Sequence, residues 1–210
     1  MRLYFVRHGE TIDNADRRYQ NKDSSLSFLG KKQAETLAKR LQSIHIDYVF
    51  CSPQKRAQET GMILNKVLNK QIENTHLLSE IKRPSELEGK QKNDPVIKEI
   101  SQKLKDNFHN PSWKYSDEET FYEIRKRALD FIKIIKFSQK QNILAISHNF
   151  FIAAIVATLM FGDKITSYEL SKWMYFAVME NTGISLCQYT HERGWRLMVW
   201  NDHTHFGELQ

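Results

Sequence analysis

Short apolar runs alternate with amphipathic segments along most of this chain, and that alternation limits the folds it can adopt. The runs of strand length are residues 2–6, 47–51, 72–78 and 142–147. Between them, apolar side chains recur every three or four residues, which predicts helices over residues 28–42, 52–68, 120–137 and 149–161. Strands that alternate with helices in this way favour a parallel sheet between helical layers.

A pair of strand-like runs follows the alternating region. Residues 183–189 and 195–200 are joined by a polar turn that contains Gly194. A short connection of this kind predicts an antiparallel hairpin. We therefore expect an α/β fold with three layers, α/β/α, in which a mostly parallel central sheet carries one antiparallel strand region near its C-terminal end.

The length of 210 residues is enough for one well-buried core. Residues 79–118 interrupt the periodic pattern: they are polar, contain three of the four prolines, and include one predicted helix at residues 95–106. We expect a single domain over residues 1–210, with residues 79–118 as an inserted cap or lid segment.

The composition is that of an ordinary globular protein, with 40% hydrophobic and 27% charged residues. The net charge of +6 comes from scattered basic residues that acids interrupt, a pattern typical of solvated helix faces and not of a nucleic-acid surface. Cys51 and Cys187 lie in apolar runs and lack the spacing of metal ligands or of a disulfide framework. We therefore expect buried, reduced thiols in a cytoplasmic protein.

Residues 143–161 are apolar enough to suggest a membrane span. Ser147, His148 and Asn149 fall in the first third of that stretch, where a span rarely tolerates a polar cluster. The pattern favours a buried strand, a polar break and a buried helix, with no membrane as a partner.

Three of the predicted strands lead into side chains that can bind an anion. The first runs into Arg7 and His8, the second is followed one helical turn later by Arg56, and another runs into His148. Because the carboxyl ends of parallel strands meet at one edge of a sheet, we expect these side chains to share one pocket. Two arginines, joined by His148 when it is protonated, suit the oxygens of a phosphate group. Taken alone, an Arg-His-Gly sequence is more often a surface turn.

The same residues suggest covalent chemistry on phosphorus. A neutral imidazole at His8 is a competent nucleophile, and neighbouring arginines lower its pKa so that it stays neutral. The departing alkoxide needs a proton from a carboxylic acid, which holds that proton more tightly beside a bound phosphate. Glu80 follows the run at 72–78 and is the first candidate for this acid. Glu86 and Glu88 are alternatives.

Five segments together resemble the histidine phosphatase superfamily, also called the phosphoglycerate mutase-like family. The first is LYFVRHGET at 3–11, with Asn14 beyond it, and DSSLSFLGKKQAE at 23–35 is similar to the family pattern D-x-x-L-S/T-x-x-G-x-x-Q-A. The others are CSPQKRAQET at 51–60, AISHNFFI at 145–152 and WNDHTHF at 200–206. The combination covers nearly the whole chain and is specific, although no single segment is.

The resemblance implies roles for individual residues. His8 would be phosphorylated and then hydrolysed, and Glu80 would donate a proton and later act as the base for water. The phosphate pocket would be lined by Arg7, Arg56, His148 and Asn14, with Asn149 donating its backbone N–H. An asparagine in such a place is otherwise often a turn residue. No metal and no organic cofactor are implied.

The chain departs from the family pattern after Glu80. The family usually continues as E-x-x-x-G-x-W-E-G, whereas residues 80–89 read EIKRPSELEG, which is one residue longer and lacks the first glycine and the aromatic. Asn149 also replaces a usual glycine. These departures bear on the catalytic acid and on contacts with the leaving group.

The resemblance favours a phosphomonoester hydrolase, because the longer insertions typical of the glycolytic mutases are absent. Two alternatives stay open: a cofactor-dependent phosphoglycerate mutase, and a non-catalytic module that binds a phosphorylated ligand. The expected partner is a small-molecule phosphate ester, and no nucleic acid is expected. A homodimer is compatible with the sequence, which leaves the oligomeric state and the identity of the substrate open.

Overall fold

A six-stranded sheet forms the centre of the computed structural model, which describes residues 1–206. The strands are β1 (Arg2–Arg7), β2 (Tyr48–Cys51), β3 (Ile72–Asn74), β4 (Asn142–Ser147), β5 (Ile184–Thr190) and β6 (Gly194–Asp202). The helices are α1 (Ile12–Ala15), α2 (Phe28–Leu41), α3 (Lys55–Leu68), α4 (Pro95–Asn107), α5 (Phe121–Phe137), α6 (Asn149–Phe161) and α7 (Ser167–Phe176).

The strand order is β3-β2-β4-β1-β5-β6. Strand β1 runs parallel to β4, with Arg7 opposite Ser147, and antiparallel to β5. Strands β2, β3 and β4 are parallel to one another, and β5 and β6 form an antiparallel pair. The predicted α/β fold, with a mostly parallel sheet and one antiparallel region, is confirmed.

Helices cover both faces of the sheet, which explains why β1 and β4 are apolar without interruption. Leu3 and Phe5 of β1 face a cluster that α5, α6 and α7 complete, whereas Tyr4 and Val6 face a cluster formed with α2 and α3. Successive side chains of β1 therefore pack into two hydrophobic cores, one on each side of the sheet.

Two predicted boundaries were wrong. The helix predicted from Ser52 begins at Lys55 with Gln54 as its N-cap, because the Ser52 hydroxyl lies 2.8 Å from Nε2 of His148 and accepts from the Gln54 amide. The strand predicted over residues 72–78 ends at Asn74. There the chain turns into a 3₁₀ helix, His76–Leu78, which buries Leu78 completely.

The remaining predicted elements agree with the structure within one or two residues at each end; the hairpin strand predicted over residues 195–200, for example, is β6 from Gly194 to Asp202. Two helices, α1 and α7, were not predicted. Helix α7 begins with a Thr166-x-x-Glu169 capping box that the sequence does contain. Both cysteines are buried and unpaired, and burial raises the pKa of each thiol to about 12. Among residues 1–206, no helix has the length and apolarity needed to cross a membrane.

Residues 79–118 pack through a small cluster of their own. Leu87 packs with Ile97 and Ile100 of α4, and Tyr19 from the segment after α1 lies against them. Residues of this segment line one cavity together with Arg7 at the carboxyl end of β1 and Asn149 just after β4. Its role as a cap stays a prediction, as does the single domain to residue 210, whose last four residues lie outside the described part of the chain.

Candidate active site

His8 lies where β1 leaves the sheet, and its side chain is 1% exposed. Its backbone N–H donates to the Ser147 carbonyl at 3.1 Å, and its ring Nδ1 lies 2.7 Å from the Gly9 carbonyl. Because a carbonyl only accepts, Nδ1 carries the proton, and Nε2 presents a lone pair to the interior of the site. Gly9 is required here, since a Cβ at this position would lie 2.5 Å from the Gly30 carbonyl oxygen.

Arg56 brings a guanidinium to His8 from the first turn of α3. It is 2% exposed, and its Nε donates to Nε2 of His8 at 3.3 Å. Its other nitrogens donate to the Asn21 carbonyl at 2.9 Å and to Oε1 of Gln54 at 3.0 Å. These contacts aim the guanidinium at His8 and hold it there.

His148 is the N-cap of α6, and its ring centroid lies 5.1 Å from that of His8. Ser52 fixes one ring nitrogen, Nε2, while Nδ1 is buried and has no partner within residues 1–206. Arg7 donates to the Met179 carbonyl, and its buried Nε also has no partner there. Two buried polar atoms of this cluster are therefore unsatisfied within residues 1–206, and each is costly unless a ligand pairs with it.

The charges of this cluster act on its imidazoles. Burial, then Arg56 and Arg7, hold the pKa of His8 well below its usual value. Burial, then Arg56 and His8, do the same for the pKa of His148, so both rings are neutral near pH 7. Burial also lowers the pKa of Arg56 to about 10. Neutral His8 agrees with the sequence-based expectation, whereas burial and the neighbouring cations disfavour the protonation of His148 that the sequence suggested.

Glu80 lies at the same edge of the sheet, beside the N-terminus of α6. Its carboxylate accepts from the Phe151 N–H at 3.0 Å and from the Phe150 N–H at 3.4 Å. Its own N–H donates to the Gln54 side chain at 3.0 Å. Burial lowers the pKa of Arg7 and of Arg56, and the Glu80 carboxylate lies near enough to both to offset part of that lowering.

The other predicted site residues lie at the border of this pocket. Asn14 faces the cavity, but its Oδ1 already accepts from Gln20 and from the Thr11 N–H in the capping box of α1. Asn149 uses its side chain to accept from the Met179 N–H at 2.8 Å, while its backbone N–H in the first turn of α6 has no acceptor within residues 1–206.

The two alternative acids are placed differently. Glu88 lines the cavity, whereas Glu86 does not and accepts from the Ser116 hydroxyl at 2.9 Å. Gln54 was not predicted as a site residue. Its Oε1 joins Arg56 to the loop of Glu80 through two hydrogen bonds, and only the folded chain brings these three residues together.

A cavity of about 380 Å³ opens from this cluster to solvent. It is lined by seven basic side chains, Arg7, Arg18, Lys22, Arg56, Lys82, Arg83 and Lys92. Among residues 1–206, two acids, Glu80 and Glu88, line it as well. Such a cavity concentrates small anions and guides them toward His8.

The buried histidines make stability depend on pH. Below pH 6.5 the unfolded chain binds protons that folded His8 and His148 reject, so the free energy of unfolding falls as pH falls. Each ring contributes a slope of up to about 1.4 kcal/mol per pH unit. We expect His8→Asn to flatten the slope below pH 6.5, measured by urea unfolding at several pH values in phosphate-free buffer. An unchanged slope in His8→Asn would contradict the assignment.

Comparisons of this sequence with family models and with curated proteins agree on one family. The model of the histidine phosphatase superfamily (branch 1) matches residues 3–203. Phosphoserine phosphatase 1 of Hydrogenobacter thermophilus is 26% identical to this chain over 218 aligned positions, which cover all of this chain and 96% of that protein.

Solved structures share the fold. A mycobacterial glucosyl-3-phosphoglycerate phosphatase, determined with VO3, superposes with a TM-score of 0.80 and 22% identity over 95% of this chain and 98% of that one. A mutant phosphoserine phosphatase of Entamoeba histolytica, in complex with phosphoserine, superposes with a TM-score of 0.79 and 20% identity over 97% and 98%. At these identities the structures establish the architecture and leave the substrate open.

Proposed function

This chain belongs to the histidine phosphatase superfamily, and from that membership we propose that it is a phosphomonoesterase that works through a phosphohistidine on His8. The observation that carries the proposal is the cluster at His8: the Arg56 guanidinium lies 3.3 Å from Nε2 of His8, and within residues 1–206 the buried Nε of Arg7 and Nδ1 of His148 have no partner. A phosphate group would supply the missing partners and the missing negative charge.

The first step transfers the phosphoryl group to the enzyme. With the ester bound, the donors of Arg7 and Arg56 turn to the phosphate oxygens, and the lone pair of His8 Nε2 attacks phosphorus. The N–P bond forms, the bond from phosphorus to the alcohol oxygen breaks, and protonated Glu80 gives its proton to that oxygen. The Nδ1–H of His8 keeps its hydrogen bond to the Gly9 carbonyl, which stabilises the positive charge of the phosphorylated ring.

The second step releases phosphate. Ionised Glu80 takes a proton from a water molecule, and the water oxygen bonds to phosphorus as the N–P bond breaks. The electron pair returns to His8 Nε2, which is neutral again, and Glu80 is protonated for the next cycle. The arginines and the free N–H of Asn149 stabilise the charge that spreads over the phosphate oxygens in both steps.

We also propose that residues 79–118 act as a cap within a single domain. Ile81 to Pro84, Leu87, Glu88 and Lys92 of this segment line the cavity above His8. A cap in this place surrounds the alcohol half of the ester and lets the segment select among substrates, while the phosphate half meets only His8 and its neighbours.

The proposal predicts a covalent intermediate that can be trapped. Mixing the enzyme with p-nitrophenyl phosphate and quenching at alkaline pH, where phosphoramidates survive, should add the mass of one PO3 group to the peptide that carries His8. Peptide mass spectrometry measures this addition, and acid treatment should remove it. Turnover without any phosphorylated peptide, or phosphate on another residue, would contradict the mechanism. Incubation with 3-phosphoglycerate and a bisphosphoglycerate primer separates hydrolysis from mutase activity by its product.

A further inference from the structure

Two cations of the cavity wall share one aromatic ring. The Arg83 guanidinium lies 5.5 Å from the centre of the Tyr19 ring, and Nζ of Lys92 lies 5.6 Å from the same point. The Tyr19 hydroxyl is within 2.6 Å of the Ser101 hydroxyl on α4, which fixes the ring. Arg83 also lies over Phe150, at 4.7 Å from its centre.

Within residues 1–206, neither of these cations makes an ion pair with a carboxylate. Their neighbour Lys82 lines the same cavity but pairs with Asp117 at 2.9 Å. Burial, then Arg83 and Arg7, lower the pKa of Lys92, which means that the surrounding positive charge opposes its own. The Tyr19 ring offsets part of this repulsion, and an anion placed between the two cations would remove it.

The pair stands at a junction between two spaces. It lines the cavity that opens from His8, and a second cavity of about 570 Å³ shares Tyr19, Arg83 and Lys92 and continues along α4 past Lys98 and Lys105. The acid in that second cavity, Glu99, is paired with Lys103 at 2.7 Å. An anionic group that extends from the first cavity toward the second therefore passes Arg83 and Lys92, and Lys98 and Lys105 lie beyond them.

We propose that Arg83, Lys92 and Tyr19 form a second anion site, and that the alcohol half of the substrate carries a second anionic group, a phosphate or a carboxylate, which binds there. The inference rests on the proposed function, since it assigns the first phosphate to His8. The guanidinium and ammonium donate to the oxygens of the second group, and this contact holds the ester bond over His8. Arg83 and Lys92 act on specificity and take no part in bond breaking.

Matched substrates that differ in one anionic group test the site. 3-Phosphoglycerate and glycerol 3-phosphate differ at one carbon, which is a carboxylate in the first and a hydroxymethyl group in the second. Fructose 1,6-bisphosphate and fructose 1-phosphate differ at C6, which carries a phosphate in the first and a hydroxyl in the second. We expect the wild-type protein to favour the doubly anionic member of at least one pair by about tenfold or more in kcat/KM. Which pair shows the preference identifies the second group.

The double variant Arg83→Met/Lys92→Met should bring that preference close to one, mainly through KM. Lys82→Met removes a charge from the same cavity but from an ion pair, and it should keep the preference. A wild-type ratio near one for both pairs, a ratio that survives the double variant, or an equal loss in Lys82→Met would overturn the proposal.

Failure of the proposed function has a different signature, namely no phosphate released by the wild-type protein from any ester, p-nitrophenyl phosphate included. The second site is then judged by calorimetry with the same pairs, which needs no turnover. Tighter binding of the doubly anionic ligand that is lost in the double variant supports the site, and equal binding of both ligands refutes it.

Discussion

Replacing His8 by alanine is expected to lower kcat on p-nitrophenyl phosphate by at least about 10⁴-fold. The substitution removes Nε2, the atom that lies 3.3 Å from Arg56 Nε and accepts the phosphoryl group in the proposed mechanism. Arg7 and Arg56 stay in place, so the variant should still bind inorganic phosphate. Steady-state hydrolysis measures the loss, and calorimetry measures the retained binding.

The control for this prediction is another histidine of the same chain. His45 is exposed and pairs with Asp47 far from the cavity, so His45→Ala should keep full activity. Thermal unfolding should show that His8→Ala is folded, because the backbone N–H of residue 8 keeps its hydrogen bond to the Ser147 carbonyl. If more than a few per cent of the activity survives in the folded variant, His8 is not the nucleophile.

Glu80→Gln is expected to lower kcat/KM for an alkyl phosphate by about 10²–10⁴-fold. An alkoxide needs the proton that Glu80 supplies, whereas p-nitrophenolate leaves without one. The loss in kcat/KM should therefore be much smaller with p-nitrophenyl phosphate. Water activation still fails in this variant, so a burst of p-nitrophenolate followed by slow turnover is expected in stopped-flow measurements.

The alternative acids provide the comparison. Glu86 faces Ser116 away from the cavity, and Glu88 lines the cavity without contact to the N-terminus of α6. Glu86→Gln and Glu88→Gln should change kcat/KM for both kinds of ester by less than about twofold. A drop in Glu88→Gln that depends on the leaving group would move the role of the acid to Glu88.

The sequence was sufficient to predict the strands that carry His8 and His148. Helices cover both faces of these two strands, so the strands are short apolar runs in the sequence. Polar residues follow each run at the point where the chain leaves the sheet. The rule that parallel strands present their carboxyl ends at one edge then places Arg7, His8, Arg56 and His148 together. Local pattern and simple topology account for this much.

Contacts between distant residues explain what could not be predicted. Serine is a residue type that often caps helices, which is why a helix was predicted to begin at Ser52. In the structure the Ser52 hydroxyl contacts His148, which lies about 100 residues away, and this tertiary contact overrides the local preference. The position of Glu80 depends on the backbone N–H groups of α6, and that of Arg83 on Tyr19. None of these partners leaves a trace in the spacing of residues.

The place of β1 in the sheet has a consequence for biosynthesis. This strand pairs with β4, whose residues lie about 140 positions further along, and with β5, which lies further still. A ribosome that adds about 5–20 residues per second needs several seconds or more to deliver those neighbours. The apolar run at Leu3–Val6 therefore stays without its partner strands until they have been made, and the pocket around His8 is complete only after β4 and β5 have emerged.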